Sequence, residues 1–284
     1  MSSVLFLVHP DRPAAKQLAG EARAWWEMHG YGVIDSRDVP RGGAADGAEP
    51  PLGDEQPDFA VSFGGDGTML RTVKRALPDG IPVIGVNLGR MGYLAEVEPA
   101  AMESAFERLL GGDYRVQDRV VLDVALRRAD SDVLLPRGVA INEAIVERSA
   151  PGHTIRVAVD IAGVRFLTYV ADGLLVCTPT GSTAYNLSAR GPVVSPGMRA
   201  LVMTAVSPHL VFDRSLVLGV EEPVTLTLLE GPSASLVLDG SGCEPLAEGD
   251  AVVCSASPLA ARFVTFGDRD FHAVLLSRFS LADR

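Results

Sequence analysis

An α/β domain with a parallel sheet covered on both faces, followed by a mainly antiparallel β domain, is the fold class this 284-residue chain predicts. Three observations carry that expectation. The first part alternates apolar runs with helical patterns, and strands apolar along their whole length belong to parallel sheets buried on both sides. Beyond Gly111-Gly112-Asp113 the period changes to two, as in Leu122, Val124 and Leu126 against Asp123, Ala125 and Arg127, with Gly and Pro turns between short strands. The length gives a soft expectation of two domains. They are drawn as residues 1–116 and 117–268, with 269–284 as a C-terminal helix packing back on the first domain.

Residues 4–8 predict the first strand. A helix follows over 13–29, with Ala14, Leu18, Ala22 and Trp25 on one face and Gly30 as its stop. Residues 31–34 form a short strand. The stretch 35–58 is rich in Gly, Pro, Ala and acid and has no periodicity, which predicts a long loop or lid. The run F-A-V-S-F over 59–63 predicts a buried strand. It leads through Gly64-Gly65-Asp66-Gly67-Thr68 into a helix carrying Leu70, Val73 and Leu77. Another buried strand spans 81–86 and is followed by N-L-G-R-M-G-Y-L over 87–94. A helix over 99–110 turns Met102, Phe106 and Leu109 inward. Ligands of parallel sheets sit beyond the carboxyl ends of the strands, where Asp66 and Asn87 both lie. In the second domain Ile155, Val157, Val159 and Ile161 alternate with polar or small residues up to a turn at Ala162-Gly163. Strands are further expected at 224–229, 235–238, 251–254 and 262–266, and a helix at 270–279.

Composition narrows the function classes. A net charge of −11 argues against nucleic acid or an anionic membrane as the main partner. No apolar run approaches the roughly 18 residues of a membrane span. The N-terminus lacks a basic region before its first strand, so a cytoplasmic protein is expected. Cys177, Cys243 and Cys254 have no C-x-x-C spacing, and His9, His29, His153, His209 and His272 are scattered, so no structural metal is indicated. Lys16 and Lys74 are the only lysines and neither stands in a glycine loop, which excludes a Walker-type P-loop. A phosphate grip must therefore come from backbone amides, arginines and a divalent cation.

Three clusters carry chemistry. Strand, glycine turn and helix N-terminus around Asp66 make an arrangement that binds phosphate. Asp66 itself fits either as a cation ligand or proton acceptor or, more plainly, as the helix N-cap. Asn142-Glu143 interrupts the apolar run 139–146. Such a pair is either buried with partners or faces solvent at a sheet edge. The segment A-D-G-L-L-V-C-T-P-T-G-S-T-A-Y-N-L-S over 171–188 predicts a strand, a hydroxyl-rich turn and a short helix starting near Ser182. Thr178, Thr180, Ser182, Thr183 and Tyr185 there form either a donor-rich cradle or a structural turn.

Taken together, G-G-D-G-T at 64–68, the segment 87–94, Asn142-Glu143, and Asp172-Gly173 followed by T-P-T-G-S-T-A-Y at 178–185 resemble the NAD kinase family. The octapeptide is the most specific of these motifs, whereas G-G-D-G-T also occurs in lipid-kinase-like proteins. H-L-V-F-D-R-S-L-V at 209–217 and Asp239-Gly240 are similar to family positions, less distinctively. The resemblance implies a Rossmann-like three-layer α/β domain, a β-sandwich domain and an active site between them. It implies transfer of the ATP γ-phosphoryl to the adenosine ribose 2′-hydroxyl of NAD, with Mg²⁺ or another divalent cation, in a homodimer or homotetramer. Some members accept polyphosphate as donor.

In that framework Asp66 is the proton acceptor and Gly67 lines the nucleotide site. Asn142 and Glu143 bind the acceptor's sugar or amide groups. Asp172 and the run Thr183, Ala184, Tyr185, Asn186, Leu187 and Ser188 hold its adenine-ribose and nicotinamide ends. Arg71 and His153 are added as contacts by their spacing from the motifs. The sequence departs from the usual pattern at Ala171, Cys177, Ser215 and, most of all, Arg190, where glycine is usual. An acceptor other than NAD, a nucleoside or nucleotide phosphorylated on the same hydroxyl, is the alternative those departures leave open. A G-G-D-G-T lipid kinase and a non-catalytic dinucleotide sensor are the more distant ones.

Overall fold

A computed structural model describes residues 2–35, 56–88, 92–209, 212–231, 233–267 and 270–278. Most of the expected lid at 35–58, the segment 89–91 and the last residues of the chain lie outside them. One compact unit contains the described residues up to Asp118 together with those from Ala261 onward, and the second is Arg119–Ala260.

In the first unit β1 (Ser3–Val8), β2 (Gly32–Asp35), β3 (Phe59–Gly64) and β4 (Val83–Asn87) form a parallel sheet in the order β2-β1-β3-β4. β3 and β4 are buried at every position, as strands covered on both faces must be. Helix α1 (Pro13–Met28) starts on Pro13, whose missing N–H costs nothing there. Its buried stripe is Ala15, Ala19, Ala22, Trp25 and Trp26, while Ala14 is exposed. Ala22 and Trp25 are buried as expected and Leu18 partly so; the stripe differs in taking Ala15, Ala19 and Trp26 and leaving out Ala14. Trp26 is the reason: it is fully buried among Tyr31 (ring centroids 4.9 Å apart) and Phe106 (5.0 Å), and it rotates the helix to place alanines against the sheet. Helix α2 (Asp66–Ala76) buries Thr68, Met69, Thr72 and Val73, with Leu77 in a following 3₁₀ turn. Leu70, expected inside, is only partly buried. The threonines tolerate the interior because Thr72 Oγ1 donates to the Thr68 carbonyl at 2.9 Å. Helix α3 (Met102–Leu110), preceded by the 3₁₀ turn Pro99–Ala101, buries Met102, Phe106 and Leu109 as expected and adds Ala105. The C-terminal helix, Phe271–Arg278, starts from Asp270, whose carboxylate accepts the N–H groups of His272 and Ala273 (2.6 and 3.2 Å). Its Arg278 guanidinium lies 5.0 Å from the centre of the Tyr93 ring.

The second unit is a sandwich built from β5 (Arg115–Arg127), β6 (Leu134–Ala140), β7 (Glu143–Arg148), β8 (Ile155–Ile161), β9 (Val164–Ala171), β10 (Gly173–Cys177), β11 (Ala200–Val206), β12 (Leu216–Gly219), β13 (Val224–Glu230), β14 (Ala234–Leu238), β15 (Ser241–Leu246) and β16 (Ala251–Thr265). β5 and β16 each run across the boundary between the two units. One antiparallel sheet runs β12-β11-β10-β7-β14-β15. Opposite it, β16 pairs with β13, β13 with β8, β8 with β9, and β5 with β6. Leu122, Val157 and Leu226 from this layer meet Val146, Leu174, Met203 and Leu236 from the other in one core. The alternate residues Ile145, Leu175, Cys177 and Val202 are buried on the opposite face with Val194. That double burial explains the consecutive apolar residues 144–146 of β7, 174–177 of β10 and 200–203 of β11.

Three readings are corrected. The strands expected at 251–254 and 262–266 are parts of the single strand β16. Pro258 stands between the stretch 251–254, paired with β13, and Phe263, paired with β4. The apolar run 139–146 is two strands, with residues 141–142 between β6 and β7. The helix expected near Ser182 is a 3₁₀ turn, Thr180–Thr183, followed by a single turn α4 (Tyr185–Ser188).

Arg190 follows α4 with φ 65°, a left-handed conformation at a helix C-terminus, and its N–H donates to the Leu187 carbonyl at 3.0 Å. The side chain is exposed. The position selects glycine for backbone reasons, since a side chain there costs roughly 1–2 kcal/mol. Arg190→Gly is therefore expected to raise stability by about 1 kcal/mol, read as a higher urea midpoint at unchanged slope.

Asp250, 2% exposed, accepts the N–H groups of Ala129 (3.0 Å) and Ala247 (2.9 Å) and pairs with Arg128 at 2.7 Å. Burial alone would raise its carboxyl pKa; these bonds outweigh it and hold it below the usual carboxylate range. A depressed pKa stabilises the folded chain above the unfolded pKa of about 4, and that contribution is lost as pH falls through the folded value. Asp250→Asn should cost about 1–3 kcal/mol at pH 7, and the gap to the wild type should close in denaturation curves taken progressively below pH 4.

Candidate active site

In the first unit β3 ends at Gly64 opposite Asn87 of β4, and the chain turns into α2. Gly65 is the N-cap, so Asp66 occupies the first turn and is not the cap. Its carboxylate turns away from its own helix and accepts the N–H of Tyr93 at Oδ2 (3.0 Å) and of Leu94 at Oδ1 (3.2 Å). Two backbone donors fix the direction of the carboxylate. Each oxygen keeps capacity for one further bond, and the residue is only partly buried. The close approach requires Gly92: a Cβ there would lie 2.0 Å from Asp66 Oδ1. Gly67 is exposed, and a Cβ on it meets nothing within 4 Å. Arg71 is exposed, with Nη2 3.4 Å from Thr68 Oγ1. Asn87 is 2% exposed, and among the described residues neither atom of its side-chain amide has a hydrogen-bond partner. Such a buried group is rare away from functional sites.

The second unit assembles the remaining candidates. Glu143 begins β7 at 6% exposure, pairing in register with Cys177. Asn142 precedes it, half-buried. Their backbone is held by Asp239, from the two-residue turn between β14 and β15, whose carboxylate accepts the N–H groups of Ile141 (2.9 Å), Asn142 (2.7 Å) and Glu143 (3.1 Å). The Asn-Glu pair is thus built into the interior and does not lie on a solvent-facing edge.

The hydroxyl-rich turn is largely engaged with the protein itself. Thr178 Oγ1 donates to the Ile141 carbonyl (2.5 Å) and accepts the N–H of Gly181 (3.2 Å). Ser182 Oγ accepts the N–H of Val194 (3.0 Å), and its one hydrogen lies within reach of the carbonyls of Pro179 (2.7 Å) and Val194 (3.1 Å). Thr183 Oγ1 reaches the Thr180 carbonyl at 3.4 Å. Asn186, fully buried, donates to the carbonyls of Ser182 and Pro192 and accepts from Thr204 Oγ1, so its amide braces the turn. Tyr185, 37% exposed, is the most exposed of the five hydroxyl residues.

Tyr185 lines a cavity of about 300 Å³ together with Glu147, Arg148, Asp172, Gly173 and Ser149. Arg148 Nε donates to Asp172 at 2.8 Å, and its Nη1 to the Ala150 carbonyl at 2.9 Å. Burial raises the Tyr185 phenol pKa, and the carboxylates of Glu147, Asp172 and Glu143 add to that; Arg148 opposes them. Burial, then the Glu143 carboxylate, also pushes the Cys177 thiol well up, so it stays protonated. Ala184 and Leu187 are half-buried and Ser188 is exposed beside Tyr185. His153 is exposed in the turn between β7 and β8 and does not line the cavity. The structure thus brings Asp172 and Tyr185 together and leaves His153 apart from them. Sequence reasoning missed Glu147, Arg148 and the bracing role of Asp239. Asp239-Gly240 carried a signal, since Asp-Gly marks a tight hairpin, but nothing in it points to residues about a hundred positions earlier.

Comparison with known proteins places this geometry. The family model for the ATP-NAD kinase N-terminal domain matches residues 4–114, and that for the ATP-NAD kinase C-terminal domain matches residues 141–266. The chain is 38% identical to an NAD kinase of Heliobacterium modesticaldum, with 97% of each chain covered. It is 35% identical to NAD kinase 1 of Streptomyces coelicolor, covering 98% of this chain and 85% of that one. A yeast NADH kinase solved in complex with NADH shares the fold at a TM-score of 0.87 and 22% identity, covering 100% of this chain and 89% of that one. An NAD kinase from Archaeoglobus fulgidus solved in complex with ATP superposes at a TM-score of 0.73 with 25% identity over 96% of each chain. Both halves of the chain are matched and its relatives align over nearly their whole length, so the chain belongs to the NAD kinase family of phosphotransferases.

Proposed function

We propose that the protein phosphorylates the adenosine ribose 2′-hydroxyl of NAD, with ATP as donor, to give NADP. The observation that carries this reading is the Asp66 carboxylate, held by two backbone N–H groups in the first turn of α2 with bonding capacity to spare. A secondary alcohol is a poor nucleophile. A carboxylate within hydrogen-bond reach takes its proton as the loose phosphoryl transition state forms. Asn142 and Glu143 bind the acceptor's ribose and amide groups, and the cavity at Tyr185 and Asp172 takes one of its planar ends. Gly67 leaves the helix N-terminus open to phosphate oxygens.

A divalent cation fits this donor set. Mg²⁺ carried on substrate phosphates takes only one or two protein carboxylates, so the lack of a three-ligand cluster among the described residues is consistent with it. Asp66 is the carboxylate with open positions. When bound, the cation neutralises charge on the transferring group. Polyphosphate in place of ATP, and assembly as a cytoplasmic homodimer or homotetramer, follow from the family resemblance. No described helix is long and apolar enough to cross a membrane.

The test is turnover of ATP, Mg²⁺ and NAD followed through a coupled NADP-dependent dehydrogenase. Asp66→Asn keeps the shape but removes the base, and should lower kcat by about 10²–10⁴ with the KM for NAD little changed. Absence of NADP formation by folded wild-type protein that binds ATP would move the acceptor to another nucleoside. A second variant addresses the geometry. Gly92→Ala drives a methyl group into Asp66 Oδ1, and a carboxylate displaced by about 1 Å should lose about 10²-fold in kcat, read in the same assay with circular dichroism confirming the fold.

A further inference from the structure

Residues 141–143 carry the two side chains assigned above to the acceptor, and their backbone is held in an unusual way. Three consecutive residues present six main-chain polar groups. Asp239 takes four of them: its carboxylate accepts the N–H groups of Ile141, Asn142 and Glu143, and its own N–H donates to the Glu143 carbonyl at 2.9 Å. Thr178 takes the other two: Oγ1 donates to the Ile141 carbonyl at 2.5 Å and its N–H to the Asn142 carbonyl at 2.9 Å. From the same side Gly181 presses so close that a Cβ on it would lie 2.1 Å from the Asn142 carbonyl oxygen.

Asp239 is itself rigidly placed. With Gly240 it forms the left-handed pair (φ 50° and 66°) of a two-residue hairpin closed by Leu238 and Ser241. The clamp therefore joins one tight hairpin and one buried turn across the segment between β6 and β7.

We propose that Asp239 and Thr178 are positioning residues for the phosphoryl acceptor, acting through Asn142 and Glu143 by holding every backbone polar group of residues 141–143. This inference rests on the functional reading above. A side chain that binds a ribose must be placed to within a fraction of an ångström to be productive. Ile141 and Asn142 lie between β6 and β7, with no ladder to provide that precision, and Glu143 stands at the very end of one. One carboxylate accepting three N–H groups provides it, because its two oxygens offer acceptors only. An asparagine at 239 cannot replace it. Its single carbonyl oxygen can serve either Ile141 or the Asn142–Glu143 pair, and its NH₂ then faces a backbone donor.

The test compares Asp239→Asn, Thr178→Val and Thr178→Ser with the wild-type protein in steady-state assays with NAD and ATP varied separately. Amide hydrogen exchange is read on the same samples. The expected result is an NAD KM raised about tenfold or more in Asp239→Asn and Thr178→Val, with the ATP KM within about twofold. Thr178→Ser, which keeps the hydroxyl, should return the NAD KM to within about threefold of wild type. Exchange at Asn142 and Glu143 should accelerate in the two disruptive variants while β10 and β11 keep their protection. Faster exchange at 142–143 with an unchanged NAD KM would overturn the proposal, leaving the clamp a structural brace. So would equal changes in both KM values, or failure of the serine variant to restore NAD binding. Wild-type protein that forms no NADP is a different outcome: it overturns the functional reading, and this inference with it.

Discussion

A backbone that leaves a buried sheet must find a new partner for each N–H and C=O it takes along, because an unpaired buried amide costs on the order of 1–3 kcal/mol. At residues 141–143 the partners are a carboxylate and a hydroxyl threonine from two distant turns. Much of the second unit's polar architecture follows from this. Thr178 is committed to Ile141, so Gly181 must donate to Thr178, and the turn that carries Tyr185 is set by the same bonds. Glu143 is then delivered to the interior at the head of β7, opposite Cys177. Removing one member leaves several backbone groups stranded at once, so the segment behaves as a unit.

The same device recurs with different outcomes. Asp66, Asp239 and Asp250 each accept backbone N–H groups from segments remote in sequence. Asp250 is also paired with Arg128 and almost wholly buried, which makes it a brace. Asp239 spends its carboxylate on three amides of one segment. Asp66 takes only two, keeps a face toward solvent, and sits in the first turn of a helix. The proposed role of base falls to Asp66 because of what its carboxylate has left over, since all three are anchored by backbone donors. A carboxylate oriented by backbone donors needs no side-chain rearrangement to receive a proton, the kind of preorganisation that phosphoryl transfer depends on.

The layering of the fold was legible because burial leaves a period behind. β3 and β4 read as continuous apolar runs and are buried at every position, and the Ala162-Gly163 turn sits where alternation stops, with both residues left-handed. What escaped was set by volume and by polar pairing. The α1 stripe kept Ala22 and Trp25 but took in Trp26 and left out Ala14, because two adjacent tryptophans share the interior and periodicity cannot weigh Trp26 against Ala14. Leu70 is only partly buried while Thr72 lies inside, where a local hydroxyl-to-carbonyl bond makes threonine acceptable. In the site, residue types were visible but hydrogen-bond directions were not. The hydroxyls of Thr178, Ser182 and Thr183 read as a cradle for ligand, and the structure turns all three onto carbonyls of their own chain. Donors that complete a tight turn and donors that face a ligand leave the same letters in a sequence.

The departures from the family pattern follow the same distinction between backbone demand and chemistry. Ala171 is fully buried in the sandwich core and Cys177 in the layer behind it, where burial keeps the thiol protonated, so neither brings a reactive group to the cavity. Ser215, where proline is usual, places its hydroxyl 2.7 Å from Thr204 Oγ1, which in turn donates to Asn186. It thereby joins the network that braces the turn below Tyr185. Arg190 bears the cost of a left-handed backbone while its guanidinium stays exposed. Each substitution is absorbed by packing, bracing or local strain. Asp66 with its two amide donors, the Asn142–Glu143 pair and the Asp172–Tyr185 cavity are built from other residues, and the clamp at Thr178 and Asp239 ties the pair to the hairpin and the turn that flank it.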